Sequence, residues 1–232
     1  MDMRWIGATA GAAAVAGGLL AAPAQAALLD GGSRGIALAR TAQGISTQDL
    51  SFGQFNPALG TLTGVSLDFV LGQSGLSVTA GFQDSLLATV SAQGFAAMTL
   101  SVGAQAVLQG GYAAAAQCAT VVPEILFCSE TVDQLTPLGG SFGPTPLPLP
   151  DTLWAPFIGS DTVALTAAMD VSLTTQFQGF LLGTNASTVM AGWGGIATIT
   201  YSYTEAATTP EPASLALLGI GLGLLGLARR RG

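Results

Sequence analysis

Apolar and polar side chains alternate with a period of two along several runs of the chain. In the longest run, Val163 to Leu173, apolar residues fill the odd positions, and Thr166, Asp170 and Ser172 stand between them. Residues 65–71 and 76–82 follow the same pattern, and Gly72-Gln73-Ser74-Gly75 between them predicts a hairpin turn. Such alternation is typical of antiparallel strands with one buried face.

Further strands are predicted at residues 86–91, 96–108, 188–193 and 196–204, the last rich in Thr and Tyr. The four alanines at residues 113–116 could begin a short helix. Several strands separated by Gly-rich turns predict an all-β fold, specifically an antiparallel β-sandwich of jelly-roll-like organisation.

Six of the eleven prolines lie at residues 136–158. Proline removes a donor from a strand ladder, so this stretch is predicted to be a long connection between two halves of the sandwich. A Pro-rich ligand for a partner domain is the alternative interpretation.

The composition excludes several kinds of chemistry. The chain has no His and no Lys, so a Ser-His-Asp triad, a His-containing zinc site and a Schiff-base lysine are impossible. Arg34 and Arg40 are the only basic residues between the two ends, which argues against a nucleic-acid partner. We therefore predict no catalytic residue, cofactor or metal site, and a protein that is not an enzyme.

Residues 1–26 have the three parts of a secretory signal peptide. Arg4 supplies the positive start, residues 5–20 are apolar or small, and Ala24-Gln25-Ala26 forms an Ala-x-Ala cleavage pattern. Signal peptidase is expected to cut after Ala26, so that the exported protein begins at Ala27. The apolar run is shorter than the ~20 residues that a membrane-spanning helix needs.

The other end combines three features in order. Pro210-Glu211-Pro212 is followed by an uncharged segment at residues 213–228 and then by Arg229, Arg230 and Arg231. Such a segment enters the bilayer, and the three Arg keep its end on the cytoplasmic side. We predict a transmembrane sorting helix at residues 213–228.

This tripartite end, at residues 209–232, resembles the PEP-CTERM sorting signal of Gram-negative bacteria. The resemblance implies that an exosortase recognises the Pro-Glu-Pro region and removes the tail after export. It also implies a link to exopolysaccharide or biofilm. Domain boundaries follow from the two ends: a signal peptide at 1–26, an exported body at 27–208 and the sorting signal at 209–232.

A second resemblance lies in the exported body. The stretch from Phe52 to Val65 is similar to the opening of choice-of-anchor E domains, and its turn is Phe55-Asn56-Pro57-Ala58-Leu59-Gly60-Thr61-Leu62. Those domains also end in a Thr/Tyr-rich strand, as residues 199–204 do here. Asn, Pro and Gly are turn residues, so the motif indicates a fold rather than a chemistry.

Cys118 and Cys128 are the only two cysteines. Export brings them into an oxidising compartment, so they are predicted to form a disulfide. A reactive thiol and a metal site are the alternatives, but no basic residue lies near them in the sequence, and two cysteines are too few ligands.

Two further kinds of site stay open. Paired carboxylates could serve a hydrolase, and the candidates are Glu130 with Asp133 and Asp151 with Asp161. Exposed aromatic rings could stack on sugars, and here the candidates are Trp154, Phe157, Tyr201 and Tyr203. Calcium at loop acids is a weaker alternative, because no Asp-x-Asp-x-Asp run exists.

The sequence therefore predicts an exported surface or extracellular-matrix protein with a structural or adhesive role. Its predicted partners are signal peptidase, an exosortase, the lipid bilayer and an exopolysaccharide. A carbohydrate-binding module and a carboxylate-dependent hydrolase are the two alternatives.

Overall fold

The computed structural model describes residues 26–83, 86–120, 127–137, 147–180, 183–206, 218–219, 221–222 and 229. Nearly all of the predicted signal peptide and most of the predicted sorting helix lie outside these residues. Beyond residue 206, the five residues described are helical. Within the described part of the chain, no helix has the length and apolar character that crossing a membrane requires.

The described chain is mostly β-structure, and all its paired strands are antiparallel, which confirms the predicted all-β, antiparallel character. The strands are β1 (Ala26–Arg40), β2 (Gly44–Gly53), β3 (Gly60–Gln83), β4 (Leu86–Val102), β5 (Gln105–Ala119), β6 (Phe127–Gln134), β7 (Leu147–Pro148), β8 (Thr162–Phe180), β9 (Thr184–Asn185) and β10 (Thr188–Glu205). Three short 3₁₀ turns lie at Pro57–Leu59, Asp151–Leu153 and Ala155–Phe157.

The strands form two sheets that contribute to one hydrophobic core. The first sheet has the order β1-β10-β3-β6, with β7 and β9 also paired to β3, and the second has the order β2-β8-β4-β5. Inward positions of both sheets, among them Phe69, Trp193, Leu100 and Met169, are buried in the same cluster. Burial of this alternating apolar face drives the two sheets together.

The predicted hairpin at residues 72–75 is wrong, because β3 runs through it as one strand. Trp193 pairs with Ser74 and Gly195 pairs with Leu71, so Gly194 alone faces both Gly72 and Gln73. This is a β-bulge, in which one extra residue shifts the phase of the strand. The shift explains why odd positions point inward before the bulge and even positions after it.

Three other sequence predictions need correction. The predicted strand at 96–108 is broken by a turn at Gly103, whose φ of 57° is the left-handed conformation that glycine adopts readily. Residues 113–116 form no helix but lie in β5, paired with residues 92–95 of β4. The two strands predicted at 188–193 and 196–204 are one strand, β10.

The Pro-rich stretch is confirmed as a connection in its described part. It leads from β6 in the first sheet to β8 in the second, and its described residues include only the two-residue strand β7 and two 3₁₀ turns. The prolines explain the lack of a long strand, since they cannot donate to a ladder.

The two sheets are joined along both sides. On one side, Gln48 of β2 reaches the edge strand β1: the Ala37 N–H donates to its Oε1 at 3.0 Å, and its Nε2 donates to the Gly35 carbonyl at 2.9 Å. On the other side, the predicted disulfide links Cys118 of β5 to Cys128 of β6, with Cα atoms 6.0 Å apart. Such closures protect edge strands from pairing with other chains.

Candidate functional site

A shallow groove crosses the outer face of the first sheet where β3 is bulged. It has a volume of about 810 Å³, and its floor is made almost wholly of backbone and small side chains. The floor residues come from β1 (Ala37 and Ala39), β10 (Gly192 and Gly194) and β3 (Gly72, Ser74 and Gly75).

The floor is smooth because one row across the three strands carries only glycine and alanine. Gly192 pairs with Ala39 on one side and with Gly75 on the other. Leu135, which is 74% exposed, lies over Gly75 and forms a wall. A smaller hollow of about 280 Å³ continues the groove and is lined by residues that include Arg40, Asp133 and Met190.

Hydrogen bonds of the Ser74 side chain hold the bulge beneath the groove. The Gly194 N–H donates to Ser74 Oγ at 3.0 Å, and Ser74 Oγ donates back to the Gly194 carbonyl at 3.1 Å. A Cβ on Gly194 would lie 2.7 Å from the Gln73 carbonyl oxygen, so this position requires glycine. The bulge, the Ser74 hydrogen bonds and the glycine at position 194 therefore produce the groove together.

Two large polar aromatics lie buried beneath this region. Trp193 and Tyr112 are almost fully buried, and neither the indole N–H nor the phenol oxygen has a hydrogen-bond partner within geometric limits. Burial raises the pKa of Tyr112, and the nearby Ser74 hydroxyl offsets part of that rise.

Both basic residues of the exported body have structural roles. The Arg34 guanidinium lies 5.8 Å from the centroid of the Phe52 ring, a cation–π distance. Arg40 donates to three carbonyls of the β1–β2 turn, those of Ala42, Gln43 and Ile45. These contacts leave the body with little capacity to bind an anion.

The structure places one of the predicted carboxylate pairs on opposite faces of a strand and the other beside the start of β8 and in a 3₁₀ turn. Glu130 and Asp133 are three residues apart on β6, and therefore point to opposite faces of that strand. Asp151 begins a 3₁₀ turn, and the exposed Asp161 precedes β8. Within the described residues, no group of three or more His, Cys, Asp or Glu is placed to hold a metal ion.

The aromatic residues proposed for sugar stacking belong mainly to the core. Tyr201 and Phe157 are completely buried, so neither can present a ring face to a sugar. Trp154 and Tyr203 are partly buried against the same core, and the Trp154 indole donates to the Leu149 carbonyl at 2.9 Å. The prediction that Tyr201 and Phe157 stack on a sugar is therefore wrong.

The turn that resembles choice-of-anchor E domains connects β2 of the second sheet to β3 of the first. Asn56 Oδ1 accepts a hydrogen bond from Ala58 N, which caps the 3₁₀ turn. Gly60 has a φ of 150°, and a Cβ there would collide with the Thr204 carbonyl. These residues have conformational roles, as expected for a motif that indicates a fold.

Tyr201 should make stability depend on alkaline pH. Its hydroxyl donates to the Gly53 carbonyl at 2.7 Å, and burial raises its pKa from 10.0 to about 12. The unfolded chain loses this proton first, so the free energy of unfolding should fall by about 2 kcal/mol from about pH 9 to about pH 11.5. Denaturant titrations should show a shallower fall in Tyr201→Phe, and an unchanged fall would contradict the assignment.

The predicted processing residues lie mostly outside the described part of the chain. Ala26 and Ala27 begin β1 and pair with Thr204 and Tyr203, whereas Ala24 is not described. Of the sorting residues, Arg229 is helical, and Pro210, Glu211, Pro212, Arg230 and Arg231 are not described.

Comparison with known proteins decides what the C-terminal segment is. Residues 208–231 match the PEP-CTERM protein-sorting motif. The PEP-CTERM resemblance is thereby confirmed, and the motif implies export and exosortase sorting to the cell surface or the extracellular space. No curated protein and no solved structure matches the chain. The family match does not reach the exported body, so its resemblance to choice-of-anchor E domains stays a prediction.

The groove itself was missed in the sequence analysis. A signal existed in the clustering of glycines at 72 and 75 and at 192, 194 and 195. Only the pairing of β3 with β10 brings the two clusters together on one face.

Proposed function

We propose that this PEP-CTERM protein is a non-catalytic structural or adhesive protein of the cell surface or extracellular matrix, working in an exopolysaccharide or biofilm context. The observation that carries the proposal is the sorting motif at 208–231, which follows directly on the folded body. The last described residue before the motif is Ala206, whose N–H donates to the Leu59 carbonyl. The two sheets, joined at both sides by the Gln48 hydrogen bonds and the disulfide, favour a structural module.

We infer that the body is a β-sandwich of the jelly-roll type. Without the two-residue strands β7 and β9, eight long strands divide equally between two antiparallel sheets around a shared core. In each sheet, a strand from the end of the chain lies between two strands from its first half: β10 lies between β1 and β3, and β8 lies between β2 and β4. This interleaving supports two nested Greek keys, the connectivity of a jelly roll.

The sorting signal should act through two separable parts. Changing Pro210-Glu211-Pro212 to alanines should leave the chain inserted in the membrane but uncut. Neutralising Arg229, Arg230 and Arg231 should instead let the tail slip or misorient, because each Arg costs roughly 2.5–3.5 kcal/mol at the bilayer centre. The measurement follows an epitope in the body by size and by membrane fractionation.

The control is the unchanged chain in hosts with and without the exosortase. The tail should be lost only in the host that has the enzyme, with the apolar segment serving until then as a transient anchor. Equal cleavage in both hosts, or release with the tail still attached, would contradict the sorting mechanism.

The groove supports carbohydrate binding as a second candidate function. Its floor of glycine and small side chains gives an open, shallow surface for a sugar ring. Elsewhere on the same outer sheet face, Ser33 pairs its hydroxyl with that of Thr198, and Thr79 pairs its hydroxyl with that of Thr131. An exopolysaccharide chain is the ligand that the sorted location and this surface chemistry favour together.

A groove-filling variant tests this second function. Gly192→Val should abolish glycan-array binding at little cost in stability, because a Cβ there meets only the Leu38 carbonyl oxygen at 3.9 Å. Gly35→Val is the matched control, since it lies on β1 outside the groove, with nothing within 4 Å of its Cβ. Binding that survives in Gly192→Val would rule out the groove as the site.

A further inference from the structure

The two ends of the folded body emerge at the same end of the first sheet. Ala26, where β1 begins, pairs with Thr204 near the end of β10. Glu205, the last residue of β10, pairs with Gly60, and the Ala206 N–H donates to the Leu59 carbonyl at 3.0 Å. The predicted signal-peptidase site and the start of the sorting motif therefore flank one small surface.

This surface, formed by Ala26, the Pro57–Gly60 turn and Glu205, is called the terminal end below. Six residues separate Ala206 from the apolar segment that begins at Ala213, and five separate Ala26 from the apolar run that ends at Leu20. A chain spans at most about 3.6 Å per residue, so neither tether exceeds about 25 Å. Whatever conformation the tethers adopt, both segments leave the terminal end close to the bilayer.

We propose that the terminal end faces the lipid bilayer for as long as either apolar segment is in the membrane. The inference rests on the proposed function, because it needs the sorting segment to insert. The inference adds an orientation to that function: the terminal end faces the membrane, and the long strands extend away from the membrane.

The surface chemistry of the terminal end is consistent with tethering rather than adhesion. Leu28 and Leu59 are exposed there, by 74% and 42%, so the end tolerates an apolar neighbour. Asp30 and Glu205 are also exposed near it, and neither is a group that an anionic membrane attracts. The tethers therefore hold the body in place, and cutting both of them frees it.

The opposite end of the body lies far from the bilayer in this orientation. β3 runs from Gly60 at the terminal end to Gly81, whose carbonyl accepts a hydrogen bond from Ala186 N. At roughly 3.3 Å per residue this stretch spans about 70 Å. Ala58 and Ala186 are both exposed and mark the near and far ends.

Energy transfer to the membrane tests the orientation. The full chain, purified from a host without exosortase, carries Ala58→Cys or Ala186→Cys with a donor dye, in vesicles whose headgroups carry an acceptor dye. Cys118 and Cys128 are bonded to each other and do not label. We expect several-fold more transfer from position 58 than from position 186. Equal transfer, or more from position 186, would overturn the orientation.

A longer tether provides a second measurement on the same fold. Inserting about twenty Gly and Ser residues after Ala206 should lower transfer from position 58 towards that from position 186, since the end is no longer held. Unchanged high transfer would mean that the end binds lipid by itself and would overturn tethering. Failure of the chain to stay with the membrane at all would instead overturn the proposed function.

Discussion

Replacing Phe55 with alanine should lower the free energy of unfolding by about 3–5 kcal/mol. Phe55 is 1% exposed, and its ring centroid lies 6.0 Å from that of Tyr201 and 5.3 Å from that of Tyr203. Its backbone also joins the Pro-rich connection, through Phe55 N to the Phe157 carbonyl at 2.8 Å and Gly159 N to the Phe55 carbonyl at 3.0 Å. The substitution opens a cavity where the connection packs on the first sheet.

The matched control for this cavity is Phe127→Ala. Phe127 is 70% exposed, so its loss removes the same side chain without emptying a packed site. Its free energy of unfolding should stay within about 0.5 kcal/mol of the parent value. Urea denaturation of the exported body measures both variants, and similar losses at the two positions would contradict the packing role of Phe55.

Removing the disulfide should lower the free energy of unfolding by roughly 2–3 kcal/mol. The bond closes a loop between residues 118 and 128, and it links an edge strand of one sheet to an edge strand of the other. Cys118→Ala/Cys128→Ala is the suitable double variant, because Cys118 is 2% exposed and a serine hydroxyl there would be buried. Denaturant unfolding of the variant and of the reduced parent should give similar losses.

Thiol alkylation gives an independent check of this bond. The exported protein should resist alkylation after denaturation until a reductant is added. Full alkylation of the denatured, unreduced protein would show that the bond is absent in the exported chain.

The sorting signal could be recognised from sequence because its parts are contiguous. The Pro-Glu-Pro motif, the apolar segment and the terminal Arg follow one another within residues 208–231, and the family match covers the same residues. The strands were also largely predictable, since burial of one sheet face imposes a period of two on the side chains. Neither inference required knowledge of which strands are neighbours.

The errors arose where a local pattern has two physical explanations. A change of phase in the alternation occurs at a tight turn and also at a bulge, and Gly72 to Gly75 suits both. Because β10 pairs with β3 on both sides of these residues, the feature is a bulge and not a turn. Residues 113–116 have high helix propensity, but they lie beside β4, and the tertiary context overrides a propensity of this size.

The candidate sites also combine residues that the sequence makes recognisable with an arrangement that only the tertiary structure determines. Tyr201 and Phe157 could be recognised as large aromatics, yet their burial depends on the Pro-rich connection packing against β10. The groove depends on two glycine clusters more than a hundred residues apart in the sequence, which meet only through the β3–β10 register. By itself, the sequence determined the exported, exosortase-sorted character of the protein and its β-rich composition, because those properties reside in local patterns. The tertiary structure alone decided the strand order, the groove and the common exit of both ends, because these depend on pairing between distant segments.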